Sequence, residues 1–280
     1  MAETIELTDI EREYVEITKA REMSGLRIVL GAYAIPGPWR EACKGVFHVK
    51  GLPYTPVATG TTPGTDLNFG MMEADRDLIA WTGQASAPVV VWNDERPRIT
   101  WIDQLYLAER LSPNPPLIPS DMDARILMFG LSNEIVGEHG LGWSKRLAII
   151  HATLAATPPG AQERALFEHF AQKYGYNEAE AVAAPRHMAA IMTRLDKQLR
   201  AQQDAGKRYF IGDSLSALDI YWAAFLALFA PLPVEFCPMG TAFRSLYTNP
   251  DPETQAALSD RLVAHRDFIY REHLELPIVF

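Results

Sequence analysis

The chain is poor in cysteine and has no long hydrophobic run. Its 280 residues include only two cysteines, Cys43 and Cys237, which are far apart and outside any CxxC spacing. This excludes a disulfide framework and a structural zinc site, and we expect both residues to be small buried thiols. Because no apolar stretch reaches the roughly 20 residues that a membrane-spanning helix needs, the sequence predicts a soluble protein with no membrane partner.

Basic residues are also scarce, since 26 Lys and Arg face 35 Asp and Glu, for a formal net charge of -9. Proteins bind nucleic acids mainly by neutralising phosphates with Lys and Arg, so this balance predicts no nucleic-acid partner. The first nine residues are acidic and lack the basic start and apolar centre of a secretory signal. We therefore expect a cytoplasmic protein.

The sequence of the first part of the chain predicts a strand, a helix and a second strand, in this order. Residues 27–33 have the apolar density of a buried strand. A helix follows from Pro38 to about Lys50, and Pro38 suits its first turn because the missing N–H costs nothing there. Residues 54–58 form the second strand. A helix-length connection between two strands implies that the strands are parallel.

A second β region follows, and its first residue is a proline. Pro88 begins the β-branched run 88–92, and proline belongs at the start of a strand because it cannot donate a ladder hydrogen bond. Residues 98–100 are close enough to pair with this run as a hairpin. Thr100 and Asp103 then form a capping pair, which predicts the start of a helix.

The remainder of the sequence predicts a proline-rich linker followed by helices. Residues 112–120 contain four prolines, which stiffen the chain and prevent regular structure. Apolar residues then recur at helical spacing over 121–155, 161–174, 178–203, 216–229 and 252–274. The sequence thus predicts an N-terminal extension (1–25), an α/β domain (26–111), the linker (112–120) and an all-helical domain with a C-terminal tail (121–280).

Three features together resemble the cytosolic glutathione transferase superfamily, over roughly residues 26–280. They are the order of the two domains, the Ala87-Pro88 strand start and the stretch 212–220. In that stretch Ser216 and Asp219 match the family's Ser/Thr-x-x-Asp capping box, in which each side chain satisfies a backbone N–H of the other's turn. The resemblance implies a thioredoxin-like α/β domain followed by an all-α helical-bundle domain.

The resemblance also implies where the co-substrate glutathione binds. The family's proline is cis, and the residue before it, here Ala87, exchanges backbone hydrogen bonds with the cysteinyl part of glutathione. Thr100 stands where the family has the Ser that holds the γ-glutamyl end, whereas Ile99 replaces the family's Glu or Gln. Gln84 precedes the proline strand, where a side chain often contacts glutathione. The implied glutathione-binding residues are Gln84, Ala87, Pro88 and Thr100.

Catalysis in this family needs a hydrogen-bond donor that stabilises the glutathione thiolate. Gly37 stands at the position of the family's Ser or Cys, so the usual donor is missing. Tyr33, the indole N–H of Trp39 and the backbone N–H groups of residues 37–40 are the three candidate replacements. The missing cysteine argues against the family's thiol-disulfide reductases. Arg40, like two other nearby arginines, is interpreted as a solvated side chain.

The acceptor substrate implied by the resemblance is an apolar electrophile held between the domains, near Met128, Asn133 and Trp143. We predict no metal site, because Glu134, Glu138 and His139 have no second cluster of ligands. Conjugation, ether cleavage, dehalogenation and isomerisation all stay open as reactions.

The leading hypothesis is a homodimeric glutathione transferase-like enzyme. Homodimerisation is expected from the family and from the usual symmetry of soluble oligomers. The alternative hypothesis is a non-catalytic binding or dimerisation module with the same fold, because Gly37 and Ile99 depart from the family's pattern.

Overall fold

The computed structural model describes residues 13–31, 36–59, 76–248 and 251–279. The chain divides into two compact units. Unit 1 comprises the described residues of Met1–Leu117, Pro231–Arg244 and Ile269–Phe280, and unit 2 comprises those of Ile118–Ala230 and Ser245–Phe268. The domain limits inferred from the sequence stay a prediction, because the division into compact units does not show which residues fold independently. No helix in the described part of the chain is long and apolar enough to cross a membrane.

Unit 1 contains a three-stranded mixed sheet in the order β2-β1-β3. Its strands are β1 (Leu26–Gly31), β2 (Thr55–Thr59) and β3 (Val89–Trp92). β1 and β2 are parallel, as the sequence predicted, and β1 and β3 are antiparallel. The predicted hairpin reduces to a single antiparallel bridge between Val90 and Arg98, because the backbone beyond it turns directly into the next helix.

Three labelled helices accompany the sheet in unit 1: α1 (Ile17–Arg21), α2 (Pro38–Val49) and α3 (Trp101–Leu111). Residues 76–82 are also helical. The predicted helix from Pro38 is confirmed, with proline in its first turn. Ile17 and Ala20 of α1 are buried in the same cluster as Val29 and Val57 of the sheet. Part of the predicted N-terminal extension (1–25) therefore packs on the sheet.

The second half of the chain is helical, as predicted, but the single helix predicted over residues 252–274 is wrong, because two helices meet at residues 258–259. Its helices are α4 (Met122–Val136), α5 (Leu141–Ala156), α6 (Gln162–Lys173), α7 (Glu178–Asp204), α8 (Ala217–Phe225), α9 (Thr241–Thr248), α10 (Pro252–Ala257) and α11 (Asp260–His273). A short 3₁₀ turn, Leu226–Leu228, follows α8. The helix predicted over 178–203 agrees with α7, which continues through Pro185.

The single helix predicted over residues 121–155 is wrong, because the chain breaks between α4 and α5. A Cβ at Gly137 would lie 2.5 Å from the Asn133 Oδ1 atom, and a Cβ at Gly140 would lie 2.7 Å from the Glu134 carbonyl oxygen. Between them His139 has a φ of 63°, in the left-handed region. The two glycines thus permit a reversal so tight that the loop touches the end of α4.

Candidate functional site

The Ala87-Pro88 peptide bond is cis, which confirms the expectation drawn from the resemblance. Pro88 is buried directly before β3, and its carbonyl accepts a hydrogen bond of 3.0 Å from the Nε2 atom of Gln104 in α3. Within the described residues, no hydrogen bond uses the backbone N–H or carbonyl of Ala87. A half-buried peptide group fixed in this way can pair with an extended ligand backbone.

Thr100 is the N-cap of α3, as the sequence predicted. Its Oγ1 atom accepts a hydrogen bond of 3.2 Å from the backbone N–H of Asp103, and the side chain is exposed to solvent. A hydroxyl that accepts one bond keeps its own proton to donate. Together with the positive end of the helix dipole, this makes the start of α3 suitable for a carboxylate.

The Asp103 carboxylate faces a cation as well as the helix start. Its Oδ1 atom accepts a hydrogen bond of 3.0 Å from the Nη2 atom of Arg96, and this bond holds the pKa of Asp103 below its usual value. Ile99, which stands where the family has Glu or Gln, is exposed beside Thr100. Asp103 therefore stays ionised at neutral pH in a contact that neutralises much of its charge.

The side chain of Gln84 is turned back on its own loop. Its Oε1 atom accepts a hydrogen bond of 2.7 Å from the backbone N–H of Ala85. The Gln84 backbone N–H lies 3.3 Å from the Thr82 hydroxyl. A ligand contact by the Gln84 oxygen would have to replace the bond to Ala85.

Gly37 is the N-cap of α2 and makes no side-chain cap bond. A Cβ placed there would lie 3.8 Å from the Arg40 Cβ and 3.9 Å from the Arg40 Nε, which are ordinary contacts. The position thus has room for the side chain that the family carries. Trp39 is half-buried in the first turn of the same helix, and Tyr33 lies outside the described residues.

Arg40 is buried, so its interpretation as a solvated side chain is wrong. The guanidinium Nη1 donates to the carbonyl of Gly31 at the end of β1, and Nε donates to Glu41 Oε1 over 3.1 Å. Glu41 Oε2 in turn accepts a bond of 2.7 Å from Lys44, which also donates to the Val279 carbonyl over 2.6 Å. A guanidinium of fixed charge therefore lies within the first turn of α2, beside Gly37.

A cavity of about 400 Å³ borders this charge network, and Glu41 and Lys44 belong to its lining. It is bounded by α2, by the turn that leads into β2 and by the C-terminal segment; its lining includes Lys44, His48, Pro53, Tyr270, Leu274 and Ile278. None of the predicted glutathione-binding residues lines it. The candidate glutathione site is therefore a different part of unit 1.

The three residues predicted for the acceptor pocket have different environments within unit 2. Met128 is fully buried, with the Ser132 hydroxyl 3.5 Å from its sulfur. Asn133 is exposed. Trp143 is half-buried and meets the Tyr174 ring edge-on at 5.9 Å. No hydrogen bond or ring contact among the described residues joins any two of the three, so their common pocket stays a prediction.

Both cysteines are free and buried, as expected. Burial raises the pKa of the Cys43 thiol well above its ordinary value, so the thiol is neutral and unreactive at neutral pH. Across the described ranges, no group of three or more His, Cys, Asp and Glu side chains is arranged to hold a metal ion.

Comparison with known proteins identifies the fold. No protein-family model and no curated protein matches the sequence. A glutathione S-transferase domain-containing protein from Marinobacter aquaeolei VT8 matches in structure with a TM-score of 0.59 and 16% identity, over 89% of this chain and 100% of that one. A glutathione S-transferase from Methylobacterium radiotolerans, solved with glutathione sulfonate, matches with a TM-score of 0.55 and 14% identity, over 90% and 93%.

A third structure, a glutathione S-transferase from Methylobacillus flagellatus KT with glutathione bound, matches with a TM-score of 0.55 and 13% identity, over 89% of this chain and 96% of that one. The three matches span nearly the whole of both chains. The protein therefore has the fold of the glutathione transferase superfamily, a thioredoxin-like α/β unit together with an all-helical unit.

Proposed function

We propose that the protein is a glutathione transferase-like enzyme that binds glutathione on unit 1 and acts on an apolar electrophile. The observation that carries the proposal is the half-buried Ala87 peptide before β3, whose backbone N–H and carbonyl have no hydrogen-bond partner among the described residues. The bond between Pro88 and Gln104 ties this peptide to α3, the helix that Thr100 caps.

Each part of glutathione has a matching group in this proposal. The cysteinyl main chain pairs with the backbone of Ala87, as one more extended segment would. The γ-glutamyl carboxylate lies at the start of α3, where Thr100 donates its hydroxyl proton and the helix dipole favours an anion. Gln84 is the proposed contact for the backbone or glycine end of the peptide. Binding then brings the sulfur close to an electrophile, and proximity itself supplies part of the acceleration.

The thiolate is stabilised in this proposal without the usual hydroxyl. The backbone N–H groups at the start of α2 favour an anion near Gly37, and the buried Arg40 guanidinium, which is paired with Glu41, adds positive charge beside it. Tyr33 and Trp39 remain proposed donors, and Met128, Asn133 and Trp143 remain proposed for the acceptor side. The proposal places the protein in the cytoplasm, and its two free cysteines suit that reducing compartment.

Calorimetric titration with glutathione tests the proposal. We expect saturable binding below millimolar concentration. Thr100→Val removes the hydroxyl and is expected to weaken binding about tenfold, the value of one hydrogen bond to a charged group. Thr100→Ser keeps both cap and donor and should bind as the wild type does. Thr193→Val, an exposed change in α7, is the control.

Absence of heat at millimolar glutathione would contradict the proposal. Binding without turnover on a panel of electrophiles would favour the non-catalytic module instead. Equal weakening by Thr100→Val and Thr100→Ser would show that the hydroxyl is not a ligand.

We also propose that the protein is a homodimer. Ile102 and Tyr106 are exposed and lie one turn apart on α3, and the exposed Ile99 lies just before the N-cap of this helix. Met122 and Ile126 form a second exposed apolar pair one turn apart on α4. Two copies related by a twofold axis would bury such faces against each other.

Light scattering tests the dimer, because one chain has a mass of 31.3 kDa. We expect about twice this mass for the wild type at micromolar concentration. Ile102→Glu places a charge in the proposed interface and is expected to give the monomer mass. Val182→Glu, at a more exposed apolar position on α7, should leave the dimer intact. A monomeric wild type would refute the proposal.

A further inference from the structure

Two cations share one buried carboxylate in the first turns of α2. Arg40, Glu41 and Lys44, which we call the charge triad, are 5%, 8% and 6% exposed. The Glu41 Oε1 atom accepts a hydrogen bond of 3.1 Å from Arg40 Nε, and its Oε2 atom accepts one of 2.7 Å from the Lys44 ammonium. Because two positive charges face one negative charge, the charge triad keeps a net positive charge.

This net charge lies beside Gly37. A Cβ at Gly37 would be 3.9 Å from the Arg40 Nε atom. The Arg40 guanidinium also donates to the Gly31 carbonyl, which fixes it at the end of β1. The backbone N–H of Glu41 donates to the Gly37 carbonyl over 2.9 Å, so Glu41 lies one helical turn after Gly37. A sulfur atom beside Gly37 would therefore be exposed to the field of the whole charge triad.

The C-terminal segment fixes the position of Lys44. The ammonium donates a second hydrogen bond, of 2.6 Å, to the Val279 carbonyl. The segment is itself anchored, because Ile278 is only 3% exposed and its backbone N–H donates to the Phe236 carbonyl over 2.8 Å. A lysine ammonium with two fixed acceptors keeps its charge at the Glu41 carboxylate.

The native Cys43 thiol reports the sign with which these charges act on a sulfur. Burial is the largest influence and raises the pKa of this thiol, whereas the Lys44 charge lowers it and the Glu41 charge raises it. Lys44 and Glu41 thus act on a neighbouring sulfur in opposite directions. Four further titratable side chains border the cavity that Lys44 and Glu41 line: His48, Tyr54, Tyr270 and Glu275.

We propose that Lys44 is a positioning residue of the candidate glutathione site, which engages Glu41 so that the Arg40 charge stays available to a thiolate beside Gly37. Without Lys44, the Glu41 carboxylate would have Arg40 as its sole partner in the charge triad, and the two charges would nearly cancel. With Lys44, the remaining positive charge favours the ionised form of a nearby thiol. The inference rests on the proposed function, because it needs the glutathione sulfur near Gly37.

A thiol introduced by Gly37→Cys tests the charge arrangement in the full chain without glutathione. The position has room for it, because the nearest contact of a Cβ there is an ordinary 3.8 Å. Since the thiolate is the reactive form, the rate of alkylation by iodoacetamide as a function of pH gives the pKa of the new thiol. The wild type, whose two cysteines are free and buried, supplies the background rate.

In the Gly37→Cys background, Lys44→Met is expected to raise the thiol pKa and lower the ratio of thiolate to thiol about threefold, because it removes a positive charge. Glu41→Gln is expected to lower the pKa and raise this ratio about tenfold, because it removes a nearer negative charge. Lys44→Arg keeps the charge and should restore the original pKa. Lys19→Met removes an exposed lysine from α1 and should change nothing, since solvent and salt screen that charge.

Opposite shifts by Lys44→Met and Glu41→Gln distinguish an electrostatic role from a structural one. A network that only holds the first turns of α2 together would be loosened by both substitutions, and the thiol pKa would then shift in the same direction. Shifts of the same sign, or no shift in Lys44→Met, would overturn the proposal. If Lys44→Met does not fold, then Glu41→Gln decides, and an unchanged or raised pKa overturns the proposal.

The otherwise native chain with glutathione gives the second readout. Lys44→Met is expected to raise the pKa of the bound glutathione thiol, measured by the ultraviolet absorbance of the thiolate, and Lys44→Arg should restore it. Glutathione that binds with the same thiol pKa in the wild type and in Lys44→Met would overturn the role of Lys44 and leave glutathione binding intact. Absence of glutathione binding would instead contradict the proposed function, whatever the Gly37→Cys titration gives.

Discussion

Asp219→Ala is expected to lower the free energy of unfolding by about 3–5 kcal/mol, the cost of removing one partner from a buried network of charged hydrogen bonds. Asp219 is fully buried, and its carboxylate accepts four bonds. They come from the backbone N–H of Phe210, from Nε2 of His265 and from the N–H and hydroxyl of Ser216, over 2.7 to 2.9 Å. The variant leaves all four donors buried without an acceptor.

Denaturant titration followed by circular dichroism measures this loss. Asp213→Ala is the matched control, because it removes the same group from the loop that precedes α8. The Asp213 side chain is 82% exposed, and its ion pair with Lys207 spans 3.3 Å, so we expect almost no change. Similar losses in the two variants would contradict the role that we assign to Asp219.

Gly37→Ser is expected to increase the turnover of glutathione with a reactive electrophile by about 10²-fold, the typical effect of one donor aimed at a developing negative charge. The new hydroxyl would stand at the N-cap of α2, beside the proposed position of the thiolate. The geometry allows it, because a Cβ at this position has its nearest contact at 3.8 Å from the Arg40 Cβ. The same variant should lower the pKa of the bound thiol, measured by the ultraviolet absorbance of the thiolate.

Gly37→Ala is the control, because it adds the same Cβ without a hydroxyl. We expect it to match the wild type in turnover and in thiolate absorbance. If the serine and alanine variants behave alike, then Gly37 does not stand at the thiol position, and Arg40 has no thiolate to stabilise there.

Local patterns predicted much of unit 1. The proline at the first turn of α2, the helix-length connection and the Thr100-Asp103 spacing each act over a few residues, and the structure has all three. The cis geometry before Pro88 was reached only through the family resemblance, because X-Pro bonds are trans in most proteins.

Local sequence patterns did not predict the break between α4 and α5. Gly137 and Gly140 are compatible with a continuous helix, and their effect depends on how closely the returning chain approaches Asn133 and Glu134. Hydrophobic spacing does not report such contacts, since apolar residues recur on both sides of the turn.

The buried cations were missed for a related reason. Arg40 is buried because Gly31 and Glu41 supply its acceptors, and Lys44 is buried against Glu41 and the Val279 carbonyl, far along the chain. The ordinary expectation for an arginine or lysine is exposure, and burial of its charge depends on which groups the fold brings around it. The sequence therefore did not predict the burial of the residues that could distinguish this site from other sites of the same fold.

A crystal structure of the protein with glutathione tests the central claim most directly. We expect the cysteinyl main chain of the peptide to lie within hydrogen-bond distance of the backbone N–H and carbonyl of Ala87, with the γ-glutamyl carboxylate at the Thr100 hydroxyl. Glutathione bound away from the Ala87-Pro88 peptide, or a vacant site at saturating concentration, would contradict the claim.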